Sequence, residues 1–278
     1  MWKNHILGIV AACSILLIGI VVNPFQAEAE SLNWGFKKGS QEQQAQAGSA
    51  FDELLKKHGA FYKGNDTDKV MYLTFDNGYE NGHTAPILDA LKKEKVPATF
   101  FLTGHYVKSA KDLVKRMIDE GHEIGNHSYD HPNMANLSEE RMKEEWHKFD
   151  ELLKEETGIK RTRFARPPEG VFSEKLLAYG NELGYRHMFW SVAFVDWYAD
   201  RPQGKAYAYN HLMNQIHPGA IILMHTVSPD NAQALPDFIR DAKKKGYTFE
   251  SLESLVNKND DSPLSFHELP FPIYCRHQ

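Results

Sequence analysis

His127 and His131 stand four residues apart in Asn126-His127-Ser128-Tyr129-Asp130-His131-Pro132, a spacing that lets a loop or one helical turn aim two imidazoles at a single metal ion. The plain alternative is a pair of surface or capping histidines, since the chain has 14 His. Thr74-Phe75-Asp76-Asn77-Gly78-Tyr79 sets a carboxylate at the end of an apolar stretch, where Asp-Asn-Gly is also ordinary turn chemistry. Arg166-Pro167-Pro168-Glu169-Gly170 offers an arginine on a stiff loop, or merely a surface residue. Asp196-Trp197 sets a carboxylate beside an indole, or is a helix cap next to a core ring. His225 follows the unbroken apolar run Ile221-Ile222-Leu223-Met224. A buried strand that runs straight into histidine argues for a working imidazole, the alternative being a core histidine with satisfied nitrogens.

These residues need a scaffold, and the chain from Val70 to Val256 supplies a regular one. Short β-branched or aromatic runs alternate with stretches of helical periodicity. The pattern predicts strands at 70–75, 98–102, 123–125, 163–166, 186–190, 220–224 and 247–250. It predicts helices at 84–96, 110–120, 138–157, 173–183, 205–216, 231–245 and 252–256, with Ser138 capping the longest and Gly158 closing it. Alternation of this kind demands a parallel sheet covered by helices, either open or closed into a barrel. Asp76, His127, Arg166, Asp196 and His225 each lie at or just past a predicted strand end, and only in a barrel do so many ends meet at one mouth. The expected fold is therefore α/β, a distorted and incomplete (β/α) barrel of about seven parallel strands.

Ahead of this scaffold, Lys3 and His5 precede an apolar run from Ile6 to Val22, then Asn23-Pro24 and the small residues of Ala27-Glu28-Ala29. That layout is a secretory signal peptide over residues 1–29, an uncleaved membrane anchor being the alternative. Either predicts export. Residues 30–66 read as a lead-in, polar and mobile up to about Gly48, with one short helix at 51–58; residues 67–258 are the catalytic domain and 259–278 a Pro- and aromatic-containing tail. Removing residues 1–29 leaves Cys275 alone, so no intramolecular disulfide is expected. A net charge of −5 offers no basic footprint, and nucleic acid is excluded as a partner.

Taken in order, the five motifs resemble the polysaccharide deacetylase family, carbohydrate esterase family four, over roughly residues 68–258. Asn33 to Lys37, Asn77 to Gly82, Phe189 to Trp197 and His217 to Ala232 further resemble the branch that deacetylates N-acetylmuramic acid in the peptidoglycan of spore-forming bacilli. The resemblance implies a metal-dependent hydrolase that removes N-acetyl groups and enables muramic delta-lactam formation in the spore cortex, with chitin-type glycans or a non-catalytic wall-binding role as alternatives. It implies a peptidoglycan strand as partner and an amidase acting upstream on it. Under it, His127 and His131 hold a divalent metal, with zinc the first choice. Asp76 takes the proton of the attacking water, Arg166 keeps Asp76 ionised, and His225, oriented by Asp196, protonates the leaving amine. Trp197, Tyr79, Glu169 and Asn77 fall to substrate binding. Asn77 stands where the family has an aspartate ligand, so weak metal retention is expected, and Glu169 stands where the family has an aromatic residue. Arg163, Arg201 and Lys205 are candidate cations for a lactyl carboxylate.

Overall fold

A computed structural model describes residues 30–259; the expected signal segment and nearly all of the tail lie outside the described residues. In chain order the elements are β1 (Leu32–Asn33), α1 (Ser49–Lys57), β2 (Val70–Asn77), α2 (Thr84–Glu94), β3 (Ala98–Leu102), α3 (Gly104–Ser109), α4 (Lys111–Asp119), β4 (Glu123–Asn126) and α5 (Glu139–Thr157). They continue with β5 (Phe164–Ala165), β6 (Val171–Phe172), α6 (Glu174–Glu182), β7 (Arg186–His187), α7 (Lys205–Met213), β8 (Ala220–His225), α8 (Pro229–Lys244), β9 (Thr248–Phe249) and α9 (Leu252–Asn259).

The main sheet is parallel in the order β7-β5-β4-β3-β2-β8, with β9 pairing the start of β2. It curls until its two edges almost meet. Beyond β7 the chain pairs Met188 with Phe61, and Val192 then bridges Ile222 of β8, so one continuous segment reaches from one edge of the sheet to the other. The result is the distorted, incomplete barrel that the alternation predicts.

Strand alternation decides what faces the middle. Met71, Leu73 and Phe75 of β2 pack outward beneath α2 and α8, while Tyr72 joins Phe101, Phe164, Met188 and Ile221 in the barrel interior. Ile222 and Met224 of β8 likewise pack outward. Continuing the inward rows gives Tyr72, Thr74, Asp76 on β2 and Ile221, Leu223, His225 on β8. The interior is thus apolar at the bottom, where Leu252, Leu255 and Val256 of α9 close it, and ionisable at the top.

The helices begin where the sequence supplies caps. Ser138, Ser173 and Ser228 each accept a hydrogen bond from a backbone amide in the first turn of α5, α6 and α8, and Gly158 closes α5 in the left-handed conformation. The predicted strands at 163–166 and 186–190 keep only two ladder residues each, and past β7 the carbonyls of Met188 and Phe189 bond to the Arg166 side chain.

Residues 30–48 depart from expectation. They are not a mobile lead-in: β1 pairs antiparallel with β6, Ala45 is fully buried, and the Gln44 side-chain amide donates to the carbonyls of Gly64 and Pro218. The physical reason is Trp34, whose ring sits against Phe51, Tyr62 and Phe189 and whose burial outweighs the ordering cost of a polar stretch. No helix among the described residues is long and apolar enough to cross a membrane.

Candidate active site

The register of β2 against β8 sets Asp76 opposite His225, so the carboxylate and the imidazole start from neighbouring positions on one hydrogen-bonded strand pair. Asp76 is buried, and its Oδ1 accepts from Arg166 Nη1 at 2.7 Å. Burial works to raise the Asp76 pKa, but the Arg166 guanidinium and the imidazoles of His127 and His225 outweigh it and hold the carboxyl below its ordinary value. Asp76 is therefore an ionised carboxylate in a buried wall.

Arg166 owes its position to several partners at once. Its Nε donates to the Met188 carbonyl at 2.8 Å and its Nη2 to the Phe189 carbonyl at 3.3 Å. The guanidinium lies 4.1 Å from the Phe101 ring centroid and 5.5 Å from that of Trp190. Gly125 permits this, because a Cβ there would stand 2.4 Å from the Phe101 ring.

The second arm is the His225–Asp196 pair. Asp196 Oδ1 lies 2.7 Å from His225 Nδ1, and its Oδ2 accepts from the His225 backbone amide at 2.8 Å and from Asn231 Nδ2 at 2.6 Å. Burial pushes the His225 pKa down, but Asp196 and then Asp76 outweigh it and the net shift is upward. The ring is thus disposed to carry a proton, with Nε2 left for a substrate. Asn231, which also donates to the His225 carbonyl, was not singled out from sequence. Its place in the first turn of α8, six residues beyond His225, was the available signal.

On the third side, His127 and His131 stand with ring centroids 4.9 Å apart. His127 is buried, and its Nδ1 lies 2.9 Å from the Arg166 carbonyl, an acceptor that makes Nδ1 the protonated nitrogen and leaves a lone pair on Nε2. Burial, above all other influences, pushes its pKa down to about 4, so the ring is neutral as a metal ligand must be. The loop between them is held from α5 by buried Glu145, whose Oε2 accepts from the amides of Tyr129 and Asp130 at 3.1 and 2.9 Å. Ser128 and His131 both take positive φ there, a strained backbone that the Glu145 and Asn126 contacts sustain. Sequence reading passed over Glu145 as one charge among many on α5.

Asn77 does not join this group as expected of a substrate contact. Its Nδ2 donates to Thr226 Oγ1 at 2.7 Å, while its buried Oδ1 makes no hydrogen bond. No three His, Cys, Asp or Glu side chains gather as a metal cluster among the described residues. The Nε2 lone pair of His127 and the adjoining His131 ring nevertheless fit a divalent ion as a pair of imidazole donors.

The rim is aromatic. Tyr79, Val195, Trp197 and Tyr198 are the exposed large hydrophobic side chains of the described residues, and Trp197 lies edge-on to the His225 ring at 5.8 Å. Glu169 is exposed at positive φ in the turn after Arg166. Of the candidate cations, Arg163 is engaged with Glu253, Lys205 with Asp237, and Arg201 lies over Tyr198 and lines a small cavity with Asp196.

A barrel mouth with an arginine-held carboxylate, a carboxylate-held imidazole and a pair of adjoining imidazoles defines a class of amide and ester hydrolases. The chain belongs to the polysaccharide deacetylase family: the family's model matches residues 63–188, and relatives extend the match over most of the sequence. It is 49% identical over 249 residues to the peptidoglycan-N-acetylmuramic acid deacetylase PdaA of Bacillus subtilis, covering 88% of this chain and 95% of that one. The structure of B. subtilis PdaA, a family 4 carbohydrate esterase, superposes with a TM-score of 0.80 at 51% identity, covering 82% of this chain and 98% of that one. A family 4 carbohydrate esterase from Bacillus anthracis superposes with a TM-score of 0.70 at 47% identity, covering 83% and 98%. A peptidoglycan-N-acetylglucosamine deacetylase of Bacillus cereus is 34% identical over 211 residues, 74% of this chain and 75% of that one.

Proposed function

We propose that this protein removes the acetyl group from N-acetylmuramic acid residues of peptidoglycan. The observation that carries the reading is the placement of Asp76, paired with Arg166, and His225, paired with Asp196, on adjacent strands, in a chain about half identical to a muramic deacetylase.

Amide hydrolysis needs an activated water, a site for the oxyanion and an acid for the leaving amine. His127 and His131 would hold a divalent ion, zinc by preference; with Asn77 in place of a carboxylate, the donors bring no negative charge, which predicts weak retention. When bound, such an ion supplies Lewis acidity toward the acetamide carbonyl and lowers the pKa of water. Asp76, kept ionised by Arg166, takes the proton of the attacking water. His225, charged with the help of Asp196, gives its proton to the amine as the C–N bond breaks, and acetate leaves. Trp197 and Tyr79 present flat faces to the sugar. Glu169 sits beside the same mouth.

The freed amine would then stand next to the lactyl carboxyl at the neighbouring carbon, where proximity favours closure to the six-membered muramic lactam of spore cortex. That carboxyl must already be free of its peptide, so an N-acetylmuramoyl-L-alanine amidase must act first. Such a substrate lies outside the membrane, in keeping with export by residues 1–29 to the wall or cortex space.

Acetate release by the purified protein from peptidoglycan, with and without prior amidase digestion, tests this reading. Release only after amidase, abolished by EDTA and restored by zinc, is the expected result. Equal release from chitooligosaccharide would move the substrate to N-acetylglucosamine glycans, and glycan binding without turnover at any metal would sink the enzymatic reading for a wall-binding one.

A further inference from the structure

The N-terminal segment ahead of the family's matched region reaches the back of the site. Trp34 donates from its indole nitrogen to the Trp190 carbonyl at 3.0 Å, and its ring lies 4.8 Å from that of Phe189. Trp190 and Phe189 are the residues that hold Arg166, one through its ring and the other through its carbonyl. The Trp34 backbone amide also donates to the Gly170 carbonyl at 2.9 Å, at the end of the loop that begins with Arg166. That contact is close: a Cβ on Gly170 would stand 2.7 Å from the Trp190 ring and 3.1 Å from the Trp34 Cβ. Lys38 adds a bond from its amine to the Ala193 carbonyl at 3.3 Å, farther along the same stretch.

β7 ends at His187, and beyond it the chain crosses from one edge of the sheet to the other through bridges at Met188 and Val192 and amide bonds from Phe189 to the Phe61 carbonyl and from Ser191 to the Ile221 carbonyl. A guanidinium held by two carbonyls of this crossing is placed by whatever places the crossing.

We infer that Trp34 is a positioning residue for the deacetylation, fixing Arg166, and through it the Asp76 carboxylate, by clamping Phe189, Trp190 and Gly170 from behind. Its part is to fix the crossing whose carbonyls hold Arg166, from the side away from Asp76. The inference requires only that the protein deacetylates some glycan, whichever acetylated sugar that is.

The test is Trp34→Phe, which keeps an aromatic ring but deletes the indole donor, assayed as acetate release from whichever acetylated glycan the unsubstituted protein turns over. The expected result is a fall in kcat of roughly tenfold with KM changed less than about twofold, because misplacement of a catalytic group costs rate and leaves uniform binding intact. In an Arg166→Lys background the same substitution should lose less than about twofold, since the two changes act through one contact. Equal fractional loss in both backgrounds, or an unchanged kcat with a lower melting midpoint, would overturn the inference and leave Trp34 a packing residue. Trp34→Ala should lose more activity and stability; if it fails to fold, the phenylalanine variant still decides.

Discussion

The two sides of the barrel hold their ionisable residues by different means. On one side β2, β3 and β8 form long ladders, and Asp76 and His225 ride on them in register. On the other, β5 and β7 have two residues each, and Arg166 is held by carbonyls, two aromatic faces and a segment from the N-terminus. A ladder positions a side chain through the backbone; a short strand must borrow that precision from tertiary contacts. The difference also shows in the histidines. His225, on the long side, is pushed up by carboxylates, whereas His187 of β7 is buried with neither ring nitrogen bonded and is pushed down to about 3.

The largest effect should come from the contact that joins the two sides. Asp76→Asn keeps the shape but removes the base and strands the buried guanidinium. Acetate release should fall by about 10⁴-fold, at the upper end for an acid-base group, and chemical denaturation should show a loss of roughly 3–5 kcal/mol. A variant of normal stability would mean that Arg166 is satisfied by its carbonyls alone, and that the two sides are not coupled.

A smaller effect is expected inside the long side. Asn231→Ala removes one of the donors that hold Asp196 and should lower kcat by roughly tenfold, because the His225 ring is then free to reorient. A loss as large as that of His225→Ala would show that the ladder contributes little to aligning this pair.

The smallest effect on activity belongs to His187, which is read in stability alone. Its folded pKa lies below the ordinary value of 6.5, so protons bind the unfolded chain more readily than the folded one. Stability is then full above about 6.5 and is lost as the pH falls toward 3, by up to about 1.4 kcal/mol per unit. His225 has the opposite sign: its contribution is present below its ordinary pKa and fades as the pH rises through the raised one. Melting midpoints between pH 7 and 4 should therefore decline, and His187→Leu should flatten the decline. An unchanged slope would assign the acid sensitivity to other buried groups, such as His122.

How much of this was legible follows from the same contrast. The strands at 98–102 and 220–224, and the helix capped by Ser138, could be read because hydrophobic period and cap chemistry are local signals. Asp76, His127, Arg166 and His225 could be expected near one another because each stands at or just past a strand end, whereas Asp196 lies in the loop beyond β7 and reaches them through His225. Trp34, Glu145 and Asn231 could not be read, since their roles depend on partners distant in the chain or on a helix's approach to a loop. Residues 30–48 misled for the same reason: a polar, glutamine-rich stretch gives no hint that one indole anchors it. Asn77 turned toward Thr226, a choice that strand alternation makes and motif matching overlooks.

The shared register of Asp76 and His225 has a consequence for how such a protein can diversify. Both groups proposed to handle protons belong to one pair of strands, so the separation of their backbones is indifferent to what the loops above them do. Exchanges of exposed rim side chains such as Tyr79 or Trp197 can accumulate while that separation stays fixed. A sheet of this kind can meet new ligands by drift of side chains at the mouth.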